Sequence, residues 1–515
     1  MPMLKFIDKI LCSFESCFSR KAAFQWFVVI VVGLMLRSDK LGLTSIIRDL
    51  ALQQDSYLSM LHFFRASSWS LDDIRQRWFQ TLKESTPLYR EQEWCVLVGD
   101  GVKQSKEGRR IPGVKKLFQE SENSAKPAYI HGHMFGGLGI LAGNSYVRAC
   151  IPLSIRLHDG LSAASAWTGT SASSHIVKMV EDAYLAAKEF GNALLLLDRY
   201  FLSVPALERL AQLNPEGSVR MEIVSKAKRN CTAYEKPAPR SSKRGRPQKK
   251  GDAVHLETLF SSCREQFLET EVVLYGKKQT IRYYCINLLW GQQLYQELRF
   301  VLVEYNGIRS ILASTATELD ALSIIRLYSY RFQIECTFRE LKQQIGAFCY
   351  HFWTKHMPKL NYYQKKEDAS PMELVTEEHS RKKILEAVRA IEMHMMVSCI
   401  AMGILQCLSL NVCTEDGVPI EKLRYLRTPS KKRISEATVM YYLRKHIFRI
   451  MNKSPKLRII SKERTEGGLN KRAAFVPSYS AHFWFFRIEQ SRVRYMEIQN
   501  LTFSQTARLS EYTQK

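Results

Sequence analysis

The stretch YSYRFQIECTFRELK, Tyr328–Lys342, sets an aromatic, an arginine, a glutamate and a lysine among apolar residues at helical intervals. On a helix turning about 100° per residue, with Tyr328 at zero, Arg331 falls near −60°, Glu335 near −20° and Lys342 near −40°. Leu327, Ile334, Phe338, Leu341 and Ile345 cluster at about −80° to −140°, beside those four. The polar four therefore border the face that should be buried. Gln333, Thr337, Glu340 and Gln344 fall nearly opposite and are expected to be solvated. Two readings follow. One is a helix edge salted by an Arg331–Glu335 pair, worth about 0.2–0.5 kcal/mol. The other is part of a catalytic site.

Two distant stretches bear on that choice. VLVGDG and LLLLDR are apolar strand-like runs that end on Asp100 and Asp198. In α/β sheets, sites form at the carboxyl ends of strands. Each aspartate alone reads more readily as a turn or helix cap; the pair is more telling. Together, on neighbouring strands, the two would repel unless a cation lay between them. Carboxylate oxygens suit a hard divalent cation such as Mg²⁺.

Around these stretches the pattern alternates. Residues 1–90 read as helical. Within them, Thr44–Arg65 has two short apolar-periodic pieces, capped by Thr44 or Ser45 and by Asp55 or Ser56, and resembles a helix-turn-helix. Phe24–Leu36 is too short for a membrane span, which needs about 20 residues, and reads as a buried core helix. YIHGHMFGGLGILA and YVRACIPLSIRL form a hairpin pattern, and a strand, helices and further strands follow. That order implies a mixed α/β sheet. Lys236–Asp252, KPAPRSSKRGRPQKKGD, is rich in Pro, Gly, Ser and basic residues and reads as a loop that meets an anion through Lys243, Arg244 and Arg246.

The charge points the same way. The 515 residues carry 75 Lys and Arg against 50 Asp and Glu, a net of +25. Between Arg424 and Arg472, 15 basic residues face 3 glutamates. Such an excess suits a polyanion, because neutralising phosphates is what clustered Lys and Arg do best. The twelve cysteines include no CxxC pair, and no secretory signal stands out. They read as reduced thiols of a cytosolic protein with no membrane attachment.

The spacing Tyr328-x2-Arg331-x3-Glu335-x6-Lys342 resembles the Y-(2)-R-(3)-E-(6)-K signature of DDE transposases from bacterial insertion sequences. GDGVKQSKEGRRIPGVKK resembles that family's first-aspartate region and LLLLDRYFLS its second. The basic GRP loop and YHFWTK extend the likeness over most of residues 20–410. The resemblance implies an α/β protein with an RNase H-like mixed-sheet catalytic core, a β-strand insertion, and flanking helical N- and C-terminal regions. It divides the chain into a DNA-binding region (1–90), the first part of the core (91–215), a β-rich insertion (216–320) with its basic loop (236–252), the catalytic helix (321–358) and a mostly helical basic region for dimerisation and DNA contact (359–515).

It further implies two Mg²⁺ ions, replaceable by Mn²⁺, on the catalytic ligands Asp100, Asp198 and Glu335. Tyr328, Arg331 and Lys342 would contact DNA phosphates. Trp290 would stack on a flipped base; packing between insertion and core is the other reading of that tryptophan. The implied partners are the terminal inverted repeats, target DNA and a second copy of the chain in a synaptic homodimer. The implied location is the bacterial cytoplasm, at the nucleoid. Two other functions stay open: a DNA-binding regulatory or domesticated protein without strand transfer, and a nuclease that cuts without joining.

Overall fold

A computed structural model describes residues 2–452, apart from 41, 51, 120–126, 171–172, 217–218, 239–247, 364–369, 413–419, 421–422, 424 and 427–432. Two compact units divide the chain, Met1–Ser461 and Lys462–Lys515. The second lies outside the described residues, as does most of the basic stretch Arg424–Arg472.

Five strands form the centre of a mixed sheet: β1 (Trp94–Ser105), β2 (Tyr129–Gly143), β3 (Arg148–Leu157), β4 (Ala193–Leu196) and β5 (Met221–Lys226). Their order is β3-β2-β1-β4-β5. The first three pair antiparallel; β4 is parallel to β1, and β5 to β4. The chain reverses between β2 and β3 because the Asn144 carbonyl oxygen of the side chain accepts from the Tyr146 and Val147 amides, at 2.8 and 2.9 Å. β4 is a run of four fully buried residues, as expected for a parallel strand covered on both faces.

Four further strands extend the sheet: β6 (Leu268–Leu274), β7 (Lys277–Trp290), β8 (Gln296–Tyr305) and β9 (Ile308–Ser314). β9 hydrogen-bonds directly to β5. The strand-rich range 216–320 is therefore continuous with the central sheet, and its first strand, β5, is itself a central strand.

Helices cover both faces. They include α1 (Pro2–Ser13), α2 (Lys21–Leu36), α3 (Ser56–Arg65), α4 (Leu71–Ser85), α5 (His175–Phe190), α6 (Val204–Glu216), α7 (Ala321–Tyr330), α8 (Phe332–Glu340), α9 (Glu378–Asn411) and α10 (Glu436–Asn452). α2 is buried along most of its length, as its uniform apolarity requires. α9 is long and apolar enough to cross a membrane, yet 94% of that window is buried inside the protein, against β3, α2, α3 and α4. One hydrophobic core runs from Met3 to Leu443, so the N-terminal helices are part of the main body.

Two local expectations fail. Neither the helix Thr44–Asp49 nor α3 has a side-chain cap hydrogen bond; their N-cap residues are Leu43 and Asp55, both in helical conformation. The stretch 321–346 is not one straight helix. It breaks at Arg331, where the Arg331 and Ile334 amides bond to carbonyls only three residues back, at 3.2 Å each. It then widens into a π-turn, Leu341–Ile345. The buried Arg37 guanidinium donates to the Ile345 carbonyl and so satisfies the end of that turn.

Candidate active site on the sheet

Asp100 lies mid-way along β1, directly opposite Gly137 of β2. A Cβ at Gly137 would stand 2.5 Å from the Phe338 ring, so glycine lets α8 lie tight against this face. Asp198 follows the end of β4 by two residues. Its carboxylate accepts from the Tyr200 amide, and its carbonyl accepts from Ser225 Oγ of β5 at 2.8 Å. Asp100 accepts from the Gly101 amide at 2.7 Å. Both aspartates are thus tied to backbone at the rim of the parallel strands.

Of the four signature residues, Tyr328, Arg331 and Glu335 act on Asp100. Arg331 Nη1 is 3.2 Å from Asp100 Oδ2, and Nη2 pairs with Glu335 Oε1. The guanidinium is only 16% exposed and the Glu335 side chain 42% exposed. Arg331, expected to hold DNA phosphates, is therefore paired with two of the three carboxylates. Tyr328 is half-buried, and Lys342 Nζ stands 5.5 Å from the centre of the Phe348 ring.

The electrostatics are those of an incompletely compensated acidic cluster. Burial pushes Asp100 up to about 6; Arg331 and the Gly101 amide pull it down, and Asp198 and Glu335 push it further up. Asp100 therefore feels both other carboxylates. Burial opposes the charge of Arg331, but Asp100 and Glu335 hold its pKa above the ordinary value. Burial also drives the Tyr328 phenol up to about 12, with Arg331 opposing. Among the described residues, no three His, Cys, Asp or Glu side chains are gathered closely enough to hold a metal ion. The cation between Asp100 and Glu335 is the arginine.

Trp290, at the end of β7, lines an open cavity of about 190 Å³ with Arg199, Leu202, Lys228, Asn230, Cys231 and Thr232. Its indole N–H donates to Cys231 Sγ at 3.1 Å. One wall is thus the residue after Asp198, and two walls are cationic. The remaining expected DNA contacts, Lys243, Arg244 and Arg246, lie outside the described residues.

Glu340 departs from expectation. It is buried, at 8% exposure, and pairs with Arg339. Thr337 is buried as well and donates to the Cys150 carbonyl of β3 at 2.7 Å. A helical wheel assigns one covered face. Here the second face is covered too, since Glu436 at the start of α10 stands close enough to act on Arg339.

Sequence reasoning also missed three features. Tyr275, at the β6–β7 turn with φ +52°, is electrostatically coupled to Arg331 and Glu335. Burial lowers the pKa of Lys226, with Arg199, Arg229 and Arg331 adding to it and Asp198 opposing. On the opposite face of β1, His158 Nε2 meets Asp182 at 2.9 Å and His158 Nδ1 meets His175 Nδ1 at 2.9 Å. His175 Nε2 is buried with no hydrogen-bond partner. A glycine at 136 leaves the room, because a Cβ there would stand 2.0 Å from the His158 ring. The paired glycines in VGDG and HMFGG were the available signal.

No curated protein matches this chain. A family model described as DDE superfamily endonuclease matches residues 13–269, which include Asp100 and Asp198 and stop short of Glu335. With two strand-borne aspartates meeting a helix-borne glutamate on one sheet face, this match supports a DDE-type transposase or endonuclease family for the chain.

Proposed function

We propose that the protein is a DNA transposase that binds the terminal inverted repeats of an insertion sequence, cleaves phosphodiester bonds at its ends and joins the 3′-hydroxyls to target DNA by in-line transesterification. The observation that carries this reading is Asp100, which feels both Asp198 and Glu335 and shares the mostly covered Arg331 guanidinium with Glu335. The strand order β3-β2-β1-β4-β5, with β4 and β5 parallel to β1, supports an RNase H-like core. The long strand-rich segment between β5 and α7 supports the expected insertion.

The donor set suits a divalent cation. Its members are hard oxygens, two are tied to backbone, and a cationic side chain already stands between the first and third; the three carboxylates would have to draw closer together to share an ion. Asp100, Asp198 and Glu335 would hold two Mg²⁺ ions, or Mn²⁺ in their place, which supply activation of the attacking oxygen and charge stabilisation at the leaving oxygen. When these carboxylates are otherwise engaged, Arg331 is released, and its planar fork suits a phosphate bidentately. Lys342 adds a point charge, and the half-buried Tyr328 orients a phosphate through its hydroxyl. Trp290 offers a ring face to an extruded base, with Arg199 and Lys228 beside it for the phosphate. A homodimer would bring two ends together.

The test is incubation of the protein with its own flanking inverted repeats, a target plasmid and Mg²⁺. Joined product is expected. Cuts without joining would indicate a simple nuclease. Binding without chemistry would leave a DNA-binding regulatory protein.

A further inference from the structure

The face of the sheet that carries Asp100 continues well beyond it. Antiparallel register sets Asp100 opposite Gly137, Val102 opposite Phe135, and Gln104 opposite His133. Alternation keeps His131 and Tyr129 on that same face. There a short strand, Lys115–Phe118, pairs with β2 so that Lys116 lies opposite His131 and Phe118 opposite Tyr129. Phe118 and Tyr129 are 51% and 54% exposed, with ring centres 5.4 Å apart. Lys116 Nζ stands 4.9 Å from the Tyr129 ring centre. Behind them His131 packs on Tyr362 at 4.4 Å, and the Arg109 guanidinium lies 4.7 Å from Tyr362. Rings and cations thus alternate along one ribbon.

We infer that this ribbon is a second nucleic-acid site, built to stack the bases of an unpaired DNA strand. Exposed rings offer nothing to a closed duplex, whose bases are already stacked, but each can receive an unpaired base. The flanking Lys116 and Arg109 match the phosphates of the same strand. Between Gly137 and Tyr129 the face is covered, with Phe348 on Phe135 and Tyr350 on the buried His133, so the exposed rings form a separate patch at the far end of the strand. The inference rests on the transposase reading only for where the strand comes from.

The test uses the full-length protein with a chelator present, at elevated salt, where phosphate contacts weaken more than stacking does. Fluorescence anisotropy is read with labelled oligothymidine and with a blunt duplex. The double substitution Phe118→Ala/Tyr129→Ala should weaken oligothymidine binding about tenfold or more and leave the duplex unchanged. Phe118→Tyr/Tyr129→Phe should retain wild-type affinity, and an unchanged thermal midpoint shows that the fold is intact. Equal oligothymidine affinity in wild type and the alanine double variant overturns the proposal. So does a change in oligomeric state, by sedimentation, without a change in oligothymidine binding. Failure of the transposase reading appears separately, as absence of Mg²⁺-dependent cleavage by the wild type whatever the oligothymidine result.

Discussion

One strand, β1, separates two carboxylate networks of opposite character. On one face Asp100 and Glu335 share a single close guanidinium with Asp198 acting on Asp100, and Asp100 is pushed up to about 6, first by burial. On the other, burial also opposes the charge of Asp182, but the His158 hydrogen bond and Arg156 outweigh it and bring Asp182 down to about 2. Asp182 is the more deeply buried of the two, at 9% side-chain exposure against 20%. Burial therefore does not decide the outcome; the balance of partners does. The Asp182 network is settled and structural. The Asp100 network has more negative charge than its partners neutralise, which is what a cation- or phosphate-binding site requires.

The largest expected effect tests that division at Glu335. Glu335→Gln should lower strand cleavage by about a thousandfold or more, while circular dichroism and end binding stay unchanged, because the side chain is 42% exposed. Comparable cleavage by this variant would remove Glu335 from the site.

Next in size is Asp182→Ala. It leaves the buried His158 without its carboxylate partner and takes one of two carboxylates from the 39% exposed Arg156, and should cost about 1–3 kcal/mol, read as a lower denaturation midpoint. The pH dependence follows from the same shift. Its folded pKa lies below the unfolded carboxylate value of about 3.9. Its contribution is therefore present above pH ~4 and is lost as pH falls toward 2. Asp182→Asn should flatten the stability profile in that window.

Asp100→Asn should do the reverse. Its folded pKa lies above the unfolded value, so the contribution of the proton is complete below pH ~4 and is lost as pH rises through about 6. With a chelator present, the variant should be as stable as wild type at pH 4 and more stable at pH 7.5, by up to about 2 kcal/mol. A drop at both pH values would show that the Arg331 pair outweighs the burial penalty. The smallest effect is expected for Glu340→Gln. It should lower stability by about 1 kcal/mol or less, since the Arg339 partner is 43% exposed, and leave end binding intact. Glu340 thus serves as a stability control rather than as a solvated one.

Much of the site was legible because its residues obey local rules. An apolar run that ends on an acid places that acid just past its strand, and this holds for Asp198, whereas β1 continues five residues beyond Asp100, which lies only past the part paired in parallel with β4. The interval Tyr328–Arg331–Glu335 is short enough that a break at Arg331 does not scatter its members. The burial of Glu340 and Thr337 was not legible, because the elements that cover them, α10 and β3, come from distant parts of the chain. Tyr275 was hidden for the same reason, since nothing near a β-turn announces that its tip reaches a helix some fifty residues on.

The sequence by itself determined the strands that carry the two aspartates, the helical character of the stretch with the four polar residues and the strong positive charge, because each depends on periodicity or composition alone. Only the tertiary structure decided that Arg331 neutralises Asp100 and Glu335, that the strand-rich segment continues the central sheet, and that an exposed ring-and-cation ribbon shares a face with the carboxylates. Those features depend on which strands pair and in what register, and pairing is settled by contacts between residues far apart in the chain.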